Sequence, residues 1–161
     1  MNRQAIIEEM KVLPSIDINF EIKRRIAFIK HQLQQSGLKN LVLGISGGVD
    51  SSTCGKLAQL AIDELNQEYQ ETYQFIAVRL PYDTQADEAD AQLAVEFIAP
   101  SHCLTTNIKA GADGINNEVL SALESSDLLN ANNSQIDFSK GNVKARTRMV
   151  MQYHIAGILG G

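Results

Sequence analysis

The chain has 161 residues, enough for one ordinary domain, and folding at that size buries about 70% of the surface that the extended chain exposes. With 44% apolar and 20% charged residues, its composition is that of a globular protein and excludes a disordered one. A formal charge of −5 supplies no basic field for gripping nucleic acid, which leaves only the local patch Lys140, Lys144, Arg146 and Arg148.

No stretch reaches the roughly 18 consecutive apolar residues of a membrane span, and the N-terminus lacks a continuous apolar segment. Cys54 and Cys103 are too far apart for a CxxC pattern, and a domain of this size needs no disulfide staple. The expected setting is a reducing cytoplasm, with neither nucleic acid nor membrane as a partner.

In chain order, residues 3 to 13 read as a short helix interrupted by Pro14. A second helix restarts after the capping residues Ser15 and Asp17 and ends at Gly37. Ile22, Ile26, Ile29 and Leu33 align on one face of it, while Lys23, Arg24, Arg25 and Lys30 lie mostly off that face. Those cations suit a solvated face, with a phosphate-binding role as the other reading.

LVLGI at 41 to 45 is an unbroken apolar run entering glycines, as a buried parallel strand would. Residues 51 to 68 then read as a helix with Ala58, Ala61, Ile62 and Leu65 on one face. QFIAVRLPY, 74 to 82, is a second strand, followed by a helix through Ala86, Ala89, Leu93 and Phe97. A third strand at 102 to 108 leads to a helix near 114 to 125. The stretch 125 to 142, rich in Asn, Ser and Asp, reads as a loop, and a last helix starts at Asn142. This βαβ rhythm implies a parallel sheet covered on both faces, within a single domain over 1–161.

In such a sheet, ligands bind beyond the carboxyl ends of the strands, where a following helix points free N–H groups and about half a positive charge into the turn. GISGGVDSST, 44 to 53, occupies such a turn. Gly44, Gly47 and Gly48 allow the backbone close to an anion, and Ser46, Ser51 and Ser52 add hydroxyls. A Walker A loop is excluded because Gly55-Lys56 precedes Leu57, and GxGxxG fails at Ser46.

SGGVDSS, Ser46 to Ser52, resembles the pyrophosphate loop of the ATP pyrophosphatase superfamily. The resemblance implies an adenine-nucleotide alpha-hydrolase-like α/β fold and cleavage of ATP between its α and β phosphates. Asp50 would then hold Mg²⁺, which favours one or two carboxylates plus phosphate oxygens. The other reading of Asp50 is a helix N-cap, and both roles can coexist.

RLPYDTQADEADAQ (79–92), FIAPSHCLTTNIK (97–109) and DFSKGNVKARTRMVMQYHIAG (137–157) narrow the resemblance to ammonia-dependent NAD synthetases. It covers nearly the whole chain. It implies amidation of deamido-NAD: the nicotinate carboxylate attacks the α phosphate of ATP, pyrophosphate leaves, and ammonia displaces AMP.

Matched by motif, Gly44, Ile45, Ser46, Gly47, Gly48, Val49, Asp50 and Ser51 would bind ATP, with Arg79 and Gln85 as further contacts. Arg146, Phe138, Asn142 and Tyr153 would bind deamido-NAD. Without the resemblance, these four read as helix surface, loop or core packing, and Arg79 as a solvated strand end. No catalytic acid or base is assigned. Asp83, Asp87, Glu88 and Asp90 read as a solvated helix start, and His31, His102 and His154 carry no ligand spacing.

The resemblance also implies a homodimer packed through the N-terminal helices and the last helix, with the partner's site touched near Gln32. Family members continue past AGILGG into another strand and further metal and substrate ligands. The expectation is therefore an incomplete copy of the fold and weak catalysis by this chain alone. Its alternative is a non-catalytic nucleotide-binding or dimerisation module.

Overall fold

The computed structural model describes residues 2–11, 13–83 and 88–161. The first helix, α1, is Arg3–Glu9, with the Asn2 side chain accepting the Ala5 N–H at 2.8 Å. It stops short of the expected residue 13 because Lys11 adopts a left-handed conformation at φ 51°. In α2, Ile18–Ser36, the Asp17 carboxylate caps the Phe20 N–H at 3.0 Å, and Gly37 ends the helix at φ 70°. Ile26 and Leu33 of the expected apolar face are buried, whereas Ile22 is exposed.

Arg24, Arg25 and Lys30 of α2 form ion pairs on the helix surface and to its neighbour. Arg24 and Arg25 reach Glu21 at 2.7 and 3.1 Å, and Lys30 reaches Glu64 and Glu68 at 2.9 and 2.6 Å. The carboxylate of Glu21 is held below its ordinary range, chiefly by its hydrogen bond from Arg24.

Three strands, β1 (Asn40–Gly44), β2 (Gln74–Arg79) and β3 (His102–Thr105), form a sheet in the order β1-β2-β3, with both pairings parallel. The connections are helical: α3 is Val49–Glu68 and α4 is Glu88–Ile98. Beyond β3 come α5, Lys109–Ser125, and α6, Asn133–Leu159.

Strand alternation assigns the two faces. Leu41, Leu43, Phe75 and Ala77 pack with Ile62 and Leu65 of α3 and Ile98 of α4. Val42, Ile76 and Val78 turn the other way, toward Ile108 and toward Met151 and Ile155 of α6. β1 and β2 are thus covered on both sides, as the sequence implies, whereas all four residues of β3 are exposed. Phe75 is fully buried at the centre, so Phe75→Ala is expected to lower unfolding free energy by about 3–5 kcal/mol in a urea titration.

Polar contacts anchor α3 to the strands. Gln59, almost fully buried, accepts the Ser101 N–H at 2.8 Å through its side-chain oxygen. Asn66 exchanges two bonds with the backbone of Tyr73, at 2.7 and 3.0 Å. Satisfied polar groups of this kind fix where a helix starts relative to the sheet, and the start of α3 is the turn in question.

Two further expectations are corrected. In α4 the buried face is Ala91, Ala94 and Ile98, whereas Leu93 and Phe97 are exposed and Ala86 lies outside the described residues. Close approach to α3 decides this: a Cβ on Gly55 would come within 2.8 Å of Ile98 Cδ1, so the contact admits small residues.

The last helix begins at Asn133, not Asn142. Asn132 and Gln135 form a reciprocal capping box, with bonds of 2.9 and 3.0 Å, which starts the helix inside the polar stretch expected to be a loop.

Candidate functional site

The turn after β1 sits at the carboxyl edge of the sheet, where Gly44 lies opposite Val78 and Arg79 opposite Thr105. Ile45 is buried, and its N–H continues the sheet ladder to the Val78 carbonyl at 2.9 Å, so the chain leaves the core only at Ser46. Gly47 then takes φ 88°, a region that L side chains rarely enter. A Cβ there would lie 3.0 Å from the Ala91 nitrogen, so the turn and the start of α4 touch backbone to backbone.

Gly48 is the N-cap of α3 and brings no side-chain cap to the helix. The first-turn N–H groups therefore face the turn without an internal acceptor from that residue. Asp50 is exposed in the first turn rather than acting as the cap, which corrects the N-cap reading.

The hydroxyls form a small network around Gly48. Ser51 and Ser52 donate to the Gly48 carbonyl at 3.0 and 2.8 Å, and the Ser46 and Ser51 oxygens are 3.2 Å apart. The Gly48 N–H points at Ser46 Oγ at 3.4 Å, near the limit of a hydrogen bond. Such contacts hold the donors in place at little cost to exchange, which suits an incoming anionic oxygen.

Beside the turn opens a cavity of about 350 Å³ whose lining includes Gly44, Ser46, Leu80, Arg148 and Gln152. Gln152 Oε1 accepts the Gly44 N–H at 2.6 Å, and Arg148 Nε donates to the Leu80 carbonyl at 3.0 Å. Thus α6 forms the opposite wall. Neither side chain was singled out as a site residue, although Lys144, Arg148 and Gln152 recur at a spacing of four, the signal for one shared helix face.

The other sequence candidates separate. Arg79 ends β2 and is 8% exposed, so it is a buried residue and not a solvated strand end. Gln85 lies outside the described residues. Phe138, Asn142 and Arg146 come together on the outer face of α6, where Arg146 donates to the Asn142 side chain at 3.1 Å. Phe138 and Tyr153 are 79% and 75% exposed, so the helix surface, not a loop or the core, carries them. None of the four lines the cavity beside the turn.

At the exit of β2, Tyr82 donates to Asp113 at 2.6 Å and Lys140 pairs with the same carboxylate at 2.7 Å. The Lys140 contact, and then the Tyr82 hydroxyl, hold the Asp113 carboxyl below its ordinary range. The group ties α5 and α6 to the sheet. Asp83, expected in a helix start, instead forms an ion pair with Lys109.

A turn of this geometry, with helix-start amides, hydroxyls and one carboxylate at a parallel sheet's carboxyl edge, has the donors to receive a phosphate. Residues 21–160 match the sequence profile described as NAD synthase. The chain belongs to the NAD synthase family. Among its relatives, the NH(3)-dependent NAD(+) synthetase of Vibrio campbellii is 62% identical over 159 residues, which are 98% of this chain and 58% of that protein. The Vibrio vulnificus protein of the same name is 60% identical over the same share of both chains.

The crystal structure of the NAD+ synthetase from Burkholderia pseudomallei matches with a TM-score of 0.86 and 43% identity, covering 99% of this chain and 66% of that one. The NH3-dependent enzyme of Campylobacter jejuni, at 21% identity and a TM-score of 0.67, shares the fold. The chain therefore spans about 58% of the length of the curated relatives it matches.

Proposed function

We propose that this chain carries the ATP-activating part of an ammonia-dependent NAD synthetase, which amidates deamido-NAD with release of AMP and pyrophosphate. The observation that carries the reading is the serine and glycine turn at the N-terminus of α3, found in a chain about 60% identical to synthetases of that name. The Ser46 and Ser51 hydroxyls and the first-turn amides would receive the β and γ phosphates of ATP as they depart together. Asp50 is the carboxylate in the first turn of α3 and stands exposed beside those donors.

One exposed carboxylate next to phosphate oxygens is the donor set that Mg²⁺ favours, so Asp50 fits the role of its protein ligand. When bound, Mg²⁺ would offset the charge of the leaving pyrophosphate.

The reaction balances as two displacements. A carboxylate oxygen of deamido-NAD bonds to the α phosphorus, and the bond to pyrophosphate breaks. Ammonia then bonds to the carbonyl carbon, AMP leaves with that oxygen, and a proton is released. Activation is needed because an unactivated carboxylate has no adequate leaving group. The outer face of α6, with Phe138, Asn142, Arg146 and Tyr153, would hold the dinucleotide, its guanidinium against a phosphate and its rings against the bases. Arg79 and Gln85 belong to the ATP side of the same proposal.

Apolar side chains exposed on α2 and α6, among them Phe20, Phe28, Tyr153 and Ile158, support a homodimer through those helices. Light scattering on the eluted protein would read its mass directly. No described helix is long and apolar enough to cross a membrane, and Cys54 and Cys103 are free thiols. Both facts accord with a cytoplasmic location.

The test is to incubate the protein with ATP, Mg²⁺, deamido-NAD and ammonium and quantify nucleotides. The expected result is NAD and AMP in equal amounts. ATP binding without either product would favour a nucleotide-binding module, and absence of ATP binding would overturn the reading.

A further inference from the structure

Three basic side chains, Lys140, Lys144 and Arg148, follow one another at a spacing of four along α6, and their surroundings differ. Lys140 is neutralised by Asp113 at 2.7 Å. Lys144 lies over the Tyr82 ring, 4.0 Å from its centroid. Arg148 is half-buried in the wall of the cavity beside Ser46, and its Nε is fixed by the Leu80 carbonyl at 3.0 Å. Among the described residues it is the one basic side chain in that wall, and no carboxylate pairs with it. A guanidinium oriented by a neutral carbonyl keeps its full charge and its terminal N–H groups for an anion.

Resting on the proposed function, we infer that Arg148 is a phosphate-binding residue of the cavity beside the turn, gripping ATP from the α6 wall of the space that Ser46 also lines. Substrate phosphate would sit between two positive ends, the first turn of α3 and this guanidinium. Planar, paired N–H groups suit two oxygens of one phosphoryl group. Burial within the wall strengthens the contact relative to an exposed arginine. Gln152, one turn further on, binds the Gly44 N–H at 2.6 Å and so keeps α6 and the turn in register.

The probe is magnesium pyrophosphate, titrated calorimetrically into the unmodified protein and the variants Arg148→Gln, Arg148→Lys, Asp50→Ala and Arg25→Gln. Loss of a charged hydrogen bond corresponds to roughly 10-fold to 100-fold in affinity, and Arg148→Gln is expected to fall in that range. Arg148→Lys keeps the charge and is expected to stay within about 10-fold of the unmodified protein. Arg25, paired with Glu21 on α2, serves as the control and should leave affinity unchanged.

Thermal midpoints separate binding from folding, because both Arg148 variants lose the Leu80 contact and should lose similar stability. Affinity that followed the thermal midpoint rather than the charge would overturn the inference. So would normal affinity in Arg148→Gln while Asp50→Ala is weakened, a result that would leave the proposed function standing. No pyrophosphate binding by the unmodified protein would overturn both.

Discussion

Replacing Asp50 with alanine is expected to lower Mg²⁺-dependent NAD formation by about two to three orders of magnitude while leaving the fold intact. The size follows from what a metal contributes to phosphoryl chemistry, several kcal/mol of charge stabilisation, at roughly tenfold for each 1.4 kcal/mol. The structural cost is small because Asp50 is exposed and Gly48, not Asp50, caps α3. Removing a first-turn carboxylate costs a helix only about 0.3–1 kcal/mol. Steady-state rates across a Mg²⁺ titration, set beside a urea titration, check both halves. A large stability loss with a proportionate rate loss would mean that Asp50 serves the helix and not the metal.

Gly47→Ala is expected to damage the turn more than any other single methyl group added there. Its φ of 88° is a conformation that alanine enters at a cost of roughly 1–2 kcal/mol. The added Cβ would also stand 3.0 Å from the Ala91 nitrogen and 3.1 Å from the Asp90 carbonyl carbon, both of them backbone atoms that cannot rotate aside. Relief requires the turn to move off α4, which displaces the amides proposed to receive the phosphates. We expect about 1–3 kcal/mol lower stability and a fall in ATP affinity of roughly tenfold or more.

Gly48→Ala is the internal comparison. Its nearest non-neighbour atom would be Ser46 Oγ at 3.5 Å, an ordinary contact, and its φ of −72° suits any residue. Calorimetry of ATP binding on the two variants should separate them clearly, and equal effects would remove the argument from backbone conformation.

These residues also show what the sequence made legible. Caps announce themselves through local chemistry, and so Asp17 and Gly37 bound α2 as expected. The unbroken apolar run LVLGI marked β1 as a buried strand, and the side chains of β1 and β2 do pack on both faces of the sheet. The position of the turn at 44–51 was legible for a related reason: glycines and hydroxyls straight after an apolar run mark where a strand ends and the next helix starts.

Features set by fit between elements were hidden. In α4, apolarity favoured Leu93 and Phe97, but the tight approach to α3 at Gly55 admits Ala91, Ala94 and Ile98 instead. The start of α6 was obscured by a polar composition that suits a loop, while the deciding signal was the three-residue spacing of Asn132 and Gln135. Arg146 was selected by motif, yet the helix turns Arg148 toward the cavity and leaves Arg146 outside. Direction around a helix depends on the surface it packs against, and that surface was known only once the sheet's order was known.

The proposed role of the turn as a phosphate cradle is open to direct observation by amide chemical-shift mapping during a magnesium pyrophosphate titration. The expected result is saturable shifts that are largest at the backbone amides of Ser46, Gly47, Gly48, Asp50 and Ser51, with smaller ones at Gly44 and Gln152. Shifts concentrated elsewhere, such as in the cavity that α5 and α6 line with Val119, Leu123, Ile136 and Val143, or no saturable shift at the turn, would contradict it.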